Sequence, residues 1–295
     1  MTEPELPSAN PKPPEHINNR YEHPFKDLLV LVVGVVGILV LATLLLSWTA
    51  STLAPLLPYE WEVSLLQSDA ETQNLTQPQA SSQIQSQNHD AITTELAALL
   101  QRVTGPDALP TRLHYLPDQD IPNAFATLGG HIFVTRGLLE SVESENGLAM
   151  VLAHEYAHVA LRHPITLMME QLSIGFVLTM IGSDNVAQLI AQNTAAVTAL
   201  SFSREMERAA DRYALEALQC HYGHTVGADE FFLNIQEQHQ PFESDSRWQQ
   251  MLQTHPLTSE RIEVIRSGAR MGELTPLPKA LRITLSTPDK TSDIQ

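Results

Sequence analysis

The stretch His154-Glu155-Tyr156-Ala157-His158 carries the residue types of a metal site at the spacing that a helix requires. It lies in an apolar segment, 150–161, that we predict to be helical. Residues four apart share one face of a helix, so the imidazoles of His154 and His158 can bind one Zn²⁺. Glu155, one position round, can reach a metal-bound water as general base. The pattern is typical of a zinc metallopeptidase site, with a solvated helix face as the alternative.

A zinc ion held by two histidines needs a third protein ligand, and the segment 203–214 offers carboxylates on a second predicted helix. Glu207 and Asp211 are four residues apart and share a face. Glu207 can bind the metal while Asp211 accepts a hydrogen bond from the free ring nitrogen of a ligand histidine. The residues alone do not choose Glu207 over Glu205, and acidic residues that only keep a helix soluble fit the pattern as well.

Several further motifs accompany these residues in a recognisable order. They are Asn123-Ala124-Phe125-Ala126 with Gly129-Gly130-His131-Ile132-Phe133-Val134, Leu152-Ala153-His154-Glu155 running to Arg162-His163, Ser203-Arg204 with Glu207 and Ala210-Asp211, and Thr254-His255-Pro256 followed by Arg261-Ile262. Over roughly 91–269 the chain resembles the HtpX/BepA-type family of membrane-linked zinc metallopeptidases, which also contains the CAAX prenyl proteases. The resemblance implies one Zn²⁺ per chain, with Glu207 as third ligand, Asp211 as the carboxylate behind the ligands and Glu205 as a bystander.

Two further histidines have alternative roles. The His-Pro element of that family falls at His255-Pro256, just before a predicted helix. His255 is therefore a candidate for stabilising the oxyanion, or for occupying the open position of the metal in a resting state, while a histidine that only supports a loop is the structural alternative. We expect His163, beside Pro164, to satisfy the last carbonyls of the first metal helix.

The segment 123–134 is predicted to supply a strand beside the site. Gly129-Gly130 forms a turn, and the residues 131–135 are strand-like. We expect 131–135 to be an edge strand whose free backbone groups bind extended, unfolded substrate segments by strand addition. On the residues alone an ordinary core hairpin is favoured, whereas the family resemblance favours the edge strand.

These residues predict hydrolysis of a peptide bond by a metal-activated water. Glu155 would take a proton from the water and return it to the leaving amine, while zinc and His255 stabilise the oxyanion. The resemblance implies unfolded or misassembled envelope proteins as substrates. A second hypothesis is a non-catalytic, membrane-tethered chaperone or assembly adaptor whose structural zinc is closed by His255. The presence of Glu155 favours the enzyme over this adaptor. A helical scaffold with an accidental motif is a third hypothesis, and the ordered set of motifs disfavours it.

The segment 28–50 contains no charged residue and is long enough, at 1.5 Å per residue, to cross a hydrocarbon core of about 30 Å. It is too long for a secretory h-region, so we predict an uncleaved anchor. Lys12, Arg20 and Lys26 precede it, and the next basic residue is Arg102, so the N-terminus is expected in the cytoplasm. For a bacterial source this predicts a single-pass inner-membrane protein with a periplasmic catalytic domain; a mitochondrial protein would face the intermembrane space.

Composition limits the partners. The formal net charge is -17, so phosphate backbones are repelled and no nucleic-acid partner is expected. The expected partners are protein or peptide substrates, and membrane lipid through the one N-terminal helix. The lone Cys220 allows no intramolecular disulfide and lies in no cysteine-protease pattern, and we predict that it is a buried helix residue.

We predict a mainly α fold with a small β-sheet, that is, a zincin-like α+β metallopeptidase domain of gluzincin type preceded by one transmembrane helix. The predicted organisation is a disordered cytoplasmic tail (1–27), an anchor (28–50), a polar linker (51–89), the zinc metallopeptidase domain (90–270) and a C-terminal tail (271–295). Helices are predicted at 91–103, 137–141, 145–162, 165–180, 185–200, 203–220, 229–238 and 259–267, and strands at 112–116 and 131–135. The apolar stretch 172–181 is too short to span, so we expect a core helix, with a shallow membrane-facing hairpin as the alternative.

Overall fold

The computed structural model describes residues 24–64, 83–180, 202–238, 255, 259–268 and 272–282. Within these ranges the protein is mainly helical with one small sheet, which confirms the predicted fold class. The helices are α1 (Pro24–Leu53), α2 (Gln83–Thr104), α3 (Arg136–Ser141), α4 (Glu145–Ala160), α5 (His163–Met180), α6 (Arg204–Tyr222), α7 (Glu230–Gln238) and α8 (Ser259–Gly268). The strands are β1 (Arg112–Leu116), β2 (Ala124–Ala126) and β3 (His131–Thr135). The helix predicted at 185–200 lies outside the described residues.

The sheet has the strand order β1-β3-β2, with β1 parallel and β2 antiparallel to β3. The strand 131–135 is therefore central, and its prediction as an edge strand was wrong. Ile132 and Val134, on one face of β3, are fully buried, and β1 and β2 pair with its two edges. The edge beside the helical layer is instead β2, a three-residue strand too short to stand out in the sequence.

The helix α4 passes through the centre of the core. Ser144 caps its N-terminus by accepting a hydrogen bond from the backbone N–H of Gly147 at 3.0 Å. Every residue from 145 to 159 is buried, because α4 packs against α2, α6 and the inner face of the sheet. A helix that is enclosed on all sides positions its side chains rigidly, which suits a metal site.

The helix α5 packs along α1. Leu172 on α5 is 39% exposed and Val177 is buried, so the core helix expected at 172–181 stays a prediction. Ala54, Leu128 and Ile165 form a small apolar cluster at the junction of the two helices. The segment Pro24–Leu56, which is α1 and the turn after it, contains an 18-residue stretch with a mean hydropathy of 3.1. Among the described helices it is the one segment long and apolar enough to cross a membrane. A signal sequence would have the same properties.

Segments on either side of the predicted peptidase domain also pack against it. Glu62, from the region assigned to a polar linker, is only 3% exposed. Leu277 and Leu281, from the region assigned to a C-terminal tail, belong to the main hydrophobic core. Ser144 forms an isolated β-bridge with Pro276. The domain boundaries themselves stay predictions.

Cys220 is exposed, so its prediction as a buried residue was wrong. The buried face of α6 is formed by Ala210, Ala214 and Leu218, which follow one another at intervals of one helical turn. Cys220 comes two residues after Leu218 and therefore lies on the opposite side of the helix.

Candidate metal centre

The two histidines of α4 point to the same side of the helix, as their spacing predicts. The Nε2 atoms of His154 and His158 lie 3.2 Å apart. His154 is 5% exposed and His158 is fully buried, and the ring of Phe202 stacks on His158 with the ring centroids 3.8 Å apart. The two nitrogens are therefore held side by side, away from bulk water.

Glu207 faces these nitrogens from α6. The side chain of Ser203 caps α6 by accepting a hydrogen bond from the Met206 N–H, and Glu207 lies in the first turn of the helix. Its carboxylate oxygens are each 3.5 Å from a ring nitrogen, Oε2 from His154 Nε2 and Oε1 from His158 Nε2. Glu207 is fully buried, whereas Glu205 is exposed and takes no part in this cluster.

Asp211, one turn further along α6, lies behind the cluster. Its Oδ1 is 3.0 Å from Nδ1 of His154, the ring nitrogen that points away from His158. This contact orients the imidazole and keeps a proton on Nδ1. The structure therefore places Asp211 where the sequence predicted it, in contact with a histidine rather than among the atoms that face a metal.

Arg261 was missed as a site residue, although the motif that contains it was recognised. Its Nε and Nη2 donate to the two oxygens of Asp211 at 2.7 and 2.8 Å, and Nη1 lies 2.6 Å from Oε2 of Glu207. Arg261 is 5% exposed. A signal was present in the sequence, because two carboxylates predicted to be buried require a compensating cation.

His255 joins the cluster from the segment before α8. Its Nδ1 is 3.0 Å from Oε1 of Glu207, and its Nε2 is 3.6 Å from Oε1 of Glu155. The other oxygen of Glu155 and Nε2 of His255 are buried and have no hydrogen-bond partner within the described part of the chain. A cavity of about 30 Å³, lined by both side chains, lies beside them. It is large enough for about one water molecule.

His163 does not cap α4 as we expected. It is the first residue of α5, and its Nδ1 lies 2.9 Å from Nδ1 of His158. The ring thus contacts the histidine cluster from the side opposite Glu207. Burial lowers the pKa of His163 to about 4, so the ring is neutral and one of the two rings donates to the other.

Burial and opposite charge shift the pKa values of the cluster in opposite directions. Burial lowers the pKa of His158 well below its usual value, and the charge of His154 adds to this effect. For His154 burial also acts downwards, but the hydrogen bonds to Asp211 and Glu207 outweigh it and raise the pKa to about 10. Burial raises the pKa of Glu155. Burial opposes ionisation of Glu207 as well, yet its contacts with His154 and His255 lower its pKa overall.

The donor set fits a zinc ion. One ligand atom from each of His154, His158, Glu207 and His255 lies within 4.8 Å of the others, and all four residues are buried. Two imidazoles and a carboxylate are the ligands of many catalytic zinc sites, in which water or substrate takes the fourth position. The unpartnered oxygen of Glu155 and Nε2 of His255 are polar atoms that a metal-ligated water would satisfy.

Three features define the class of the protein. They are the enclosed His-Glu-x-x-His helix, the carboxylate from a second helix and the small sheet beside them. This combination of fold and site is that of a zincin-type metallopeptidase domain. The family model "Peptidase family M48" matches residues 86–269. The chain therefore belongs to peptidase family M48 and carries the intact His/His/Glu cluster of its zinc metallopeptidases, which confirms the predicted enzyme class.

The chain is also similar to individual peptidases. The chain is 29% identical to the beta-barrel assembly-enhancing protease of Yersinia pestis, over 60% of this chain and 38% of the relative. It is 28% identical to the mitochondrial metalloendopeptidase OMA1 of Saccharomyces cerevisiae, over 53% of this chain and 46% of the relative. It is 33% identical to a protease HtpX homologue of Acidiphilium cryptum, over 43% of this chain and 52% of the relative. The alignments thus cover between about a third and a half of these relatives.

Proposed function

We propose that the protein is a membrane-anchored zinc endopeptidase that cleaves unfolded or misassembled proteins of the cell envelope. One zinc ion would be held by His154, His158 and Glu207, with Glu155 as general base. The observation that supports this proposal most directly is the buried cluster of donor atoms, with the unpartnered carboxylate oxygen of Glu155 beside it. A carboxylate buried without a partner is costly, and a role in proton transfer accounts for it.

The proposed reaction is hydrolysis of a peptide bond by water, with Glu155 transferring the proton. A bound zinc ion supplies a Lewis acid that lowers the pKa of a water molecule towards about 7 and polarises the scissile carbonyl. Glu155, whose pKa is raised by burial, accepts a proton from the attacking water and returns it to the leaving amine. No group of this protein becomes covalently attached to the substrate in this scheme.

Asp211 and Arg261 would keep the ligands in position. Asp211 would keep a proton on Nδ1 of His154, so that Nε2 is the nitrogen that gives up its proton and binds a metal. Arg261 binds both oxygens of Asp211 and one oxygen of Glu207, which fixes the orientation of the two carboxylates. The roles of all these residues remain proposals.

His255 is proposed to stabilise the oxyanion that forms when water attacks the carbonyl. Its Nε2 points towards Glu155 and is buried, and no described residue bonds it, so it can donate to a substrate oxygen. The same placement also suits a fourth ligand in a resting state, as the cluster of four residues indicates. Replacement of His255 separates these two roles, as set out in the Discussion.

The edge of β2 that pairs with no other described strand is the proposed binding site for substrate. In the antiparallel pairing with β3, Phe125 lies opposite Phe133, and Thr127 donates to His131. Hydrogen-bonded pairs alternate in such a ladder, so the backbone groups of Ala124 and Ala126 point away from β3. β2 packs against α4, the helix that carries Glu155. An extended segment can therefore pair with this edge next to the general base, largely irrespective of its sequence.

The proposed location is the bacterial inner membrane, with α1 as a single-pass anchor, the N-terminus in the cytoplasm and the peptidase domain in the periplasm. The length and apolar character of α1 support an anchor, and the basic residues before it support this orientation. The relatives whose names refer to β-barrel assembly are consistent with a role in the envelope. The expectation that no nucleic acid is bound also remains a prediction.

The alternative is a membrane-tethered chaperone or assembly adaptor in which His255 closes a structural zinc site. The four-residue cluster is the observation that favours it. The full-length Glu155→Gln variant distinguishes the two functions. For the peptidase we expect cleavage of an unfolded protein to fall by a factor of about 10³ or more while zinc content and unfolding temperature are unchanged. The Glu205→Gln variant, changed at an exposed carboxylate, should cleave like the wild type. Equal cleavage by Glu155→Gln and wild type would contradict the proposal.

A further inference from the structure

A buried carboxylate outside the metal centre joins the segment after α1 to the peptidase domain. Glu62 is 3% exposed. Its Oε1 accepts a hydrogen bond from the backbone N–H of Gly129 at 2.9 Å, and its Oε2 lies 2.5 Å from Nη1 of Arg162. Acidic side chains are almost never fully buried unless they are paired, so these two contacts are what keeps Glu62 inside the protein.

The first partner, Arg162, follows the metal-binding helix. It comes four residues after His158 and has a left-handed backbone, with φ 62°. Such a backbone costs a non-glycine residue of order 1 kcal/mol or more, so surrounding contacts must hold it. Besides the pair with Glu62, Nη2 of Arg162 donates to the carbonyl of Leu57 at 3.1 Å, and its guanidinium lies over the ring of Tyr59.

The second partner, Gly129, lies in the turn between β2 and β3. Gly129 and Gly130 have φ values of 70° and 73°. The hydroxyl of Tyr59 donates to the carbonyl of Pro110 at 2.6 Å and fills the space that a Cβ at residue 130 would need. Residues 129 and 130 both need glycine for their backbone conformation, and residue 130 also needs it because Tyr59 approaches so closely.

These contacts connect the two sides of the cleft. On one side, the turn continues into β2, which packs against α4. On the other side, Arg162 ends the segment that carries His154 and His158. One carboxylate, Glu62, is bonded to both sides. The separation of β2 and α4 is the width of the groove in which an extended substrate would lie.

We propose that Glu62 is a positioning residue that fixes β2 relative to α4, so that residues 54–62, which follow the apolar helix, form part of the peptidase site. The structural claim stands on the contacts of Glu62, and its effect on cleavage rests on the proposed peptidase function. Substrates that pair with β2 should be affected through binding, because the metal ligands do not touch Glu62.

The test uses the full-length protein in detergent micelles and compares Glu62→Leu, Glu62→Gln and the control Glu60→Gln, which changes an exposed carboxylate two residues away. Leucine removes both contacts, whereas glutamine keeps an acceptor for Gly129 and loses the charge. Amide hydrogen exchange at residues 124–130 should rise at least about tenfold in Glu62→Leu, less in Glu62→Gln and not in the control. Zinc content should stay the same in all three.

Kinetics supply the second readout. For an unfolded protein substrate we expect Glu62→Leu to raise KM about tenfold and to change kcat by less than about threefold. Unchanged exchange at 124–130 would overturn the proposal. So would an equal rise in exchange throughout α2 and α6, because Glu62 would then only stabilise the fold. If the wild type itself cleaves nothing, the peptidase function fails, and the exchange data still decide whether Glu62 positions β2.

Discussion

At the scale of single residues, the centre is a set of buried charges that compensate one another. Glu207 is fully buried and Asp211 is 3% exposed. Of the side chains beside them, Arg261 is cationic and His154 can become so. The contact with Asp211 raises the pKa of His154 to about 10, so the proton on His154 balances a carboxylate when no metal is bound. A metal ion would take over that charge and release the proton.

Arg261 should be essential to this balance. Its replacement in Arg261→Met leaves two buried carboxylates without their shared cation, so we expect the zinc-free protein to lose about 3–5 kcal/mol of its free energy of unfolding. Arg208→Met removes a surface pair with Glu260 and should cost about 0–1 kcal/mol. Urea denaturation of both variants measures the difference. Similar losses for the two would show that Arg261 does not compensate the carboxylates.

The role of His255 decides whether its replacement lowers or raises the rate of cleavage. If it stabilises the oxyanion, His255→Ala lowers kcat by a factor of about 10² and leaves zinc content unaltered. If it instead occupies the open metal position in a resting state, the same variant cleaves faster than the wild type. His221→Ala, which changes an exposed histidine, controls for the loss of an imidazole. A variant that cleaves like the wild type would contradict both roles.

At the scale of elements, periodicity predicted which segments fold and which faces they bury. The i, i+4 spacing of His154 and His158, and that of Glu207 and Asp211, placed each pair on one helix face, and the structure has them there. Strand order could not be predicted in this way. The residues 131–135 look the same in the sequence whether the strand is central or at an edge, because order depends on which distant strands pair with it.

The outer face of the sheet carries a histidine pair that makes stability depend on pH. Nε2 of His114 and Nδ1 of His131 are 2.7 Å apart, and burial together with Arg112 lowers the pKa of both rings. The folded protein then binds fewer protons than the unfolded chain, whose histidines have a pKa of about 6.5. Stability should therefore be unaffected by this pair above that pH and should fall as the pH decreases below it.

The variant His114→Gln tests this pH dependence. It removes one titrating ring, so its free energy of unfolding should decrease less than that of the wild type between pH 7 and pH 5. The exposed His221→Gln serves as the control and should keep the wild-type slope. Denaturant titrations at a series of pH values give the slopes. A slope for His114→Gln as steep as that of the wild type would exclude the pair as a source of acid sensitivity.

At the scale of the whole molecule, the sequence predicted the parts of the site that have a pattern and missed those that depend on tertiary contact. The metal helix and the carboxylate helix follow from spacing and residue type. Arg261 is 50 residues from Asp211, and Glu62 is 67 residues from Gly129. Neither contact could therefore be predicted from a local sequence pattern. The segment after α1 was predicted to be a linker because its composition is polar beyond residue 66, although its first part packs on the domain.

Truncation should show that this first part belongs to the folded domain. A chain that begins at residue 83 lacks Tyr59 and Glu62 and leaves Arg162 buried without its carboxylate. We expect it to unfold at a temperature at least about 5 °C lower than a chain that begins at residue 54, since 1 kcal/mol corresponds to about 2–4 °C for a domain of this size. Thermal unfolding of the two chains measures the difference. Equal unfolding temperatures would contradict the structural role of residues 54–64.

The most direct test of the central claim is the zinc content of the full-length protein, purified in detergent without added metal. We predict about one zinc per chain in the wild type and in the control Glu205→Ala, which alters the exposed carboxylate near Glu207. The variants His154→Ala and Glu207→Ala should each contain much less than one. A wild type that contains no zinc and cannot be loaded with it would contradict the assignment of this cluster as a catalytic zinc site.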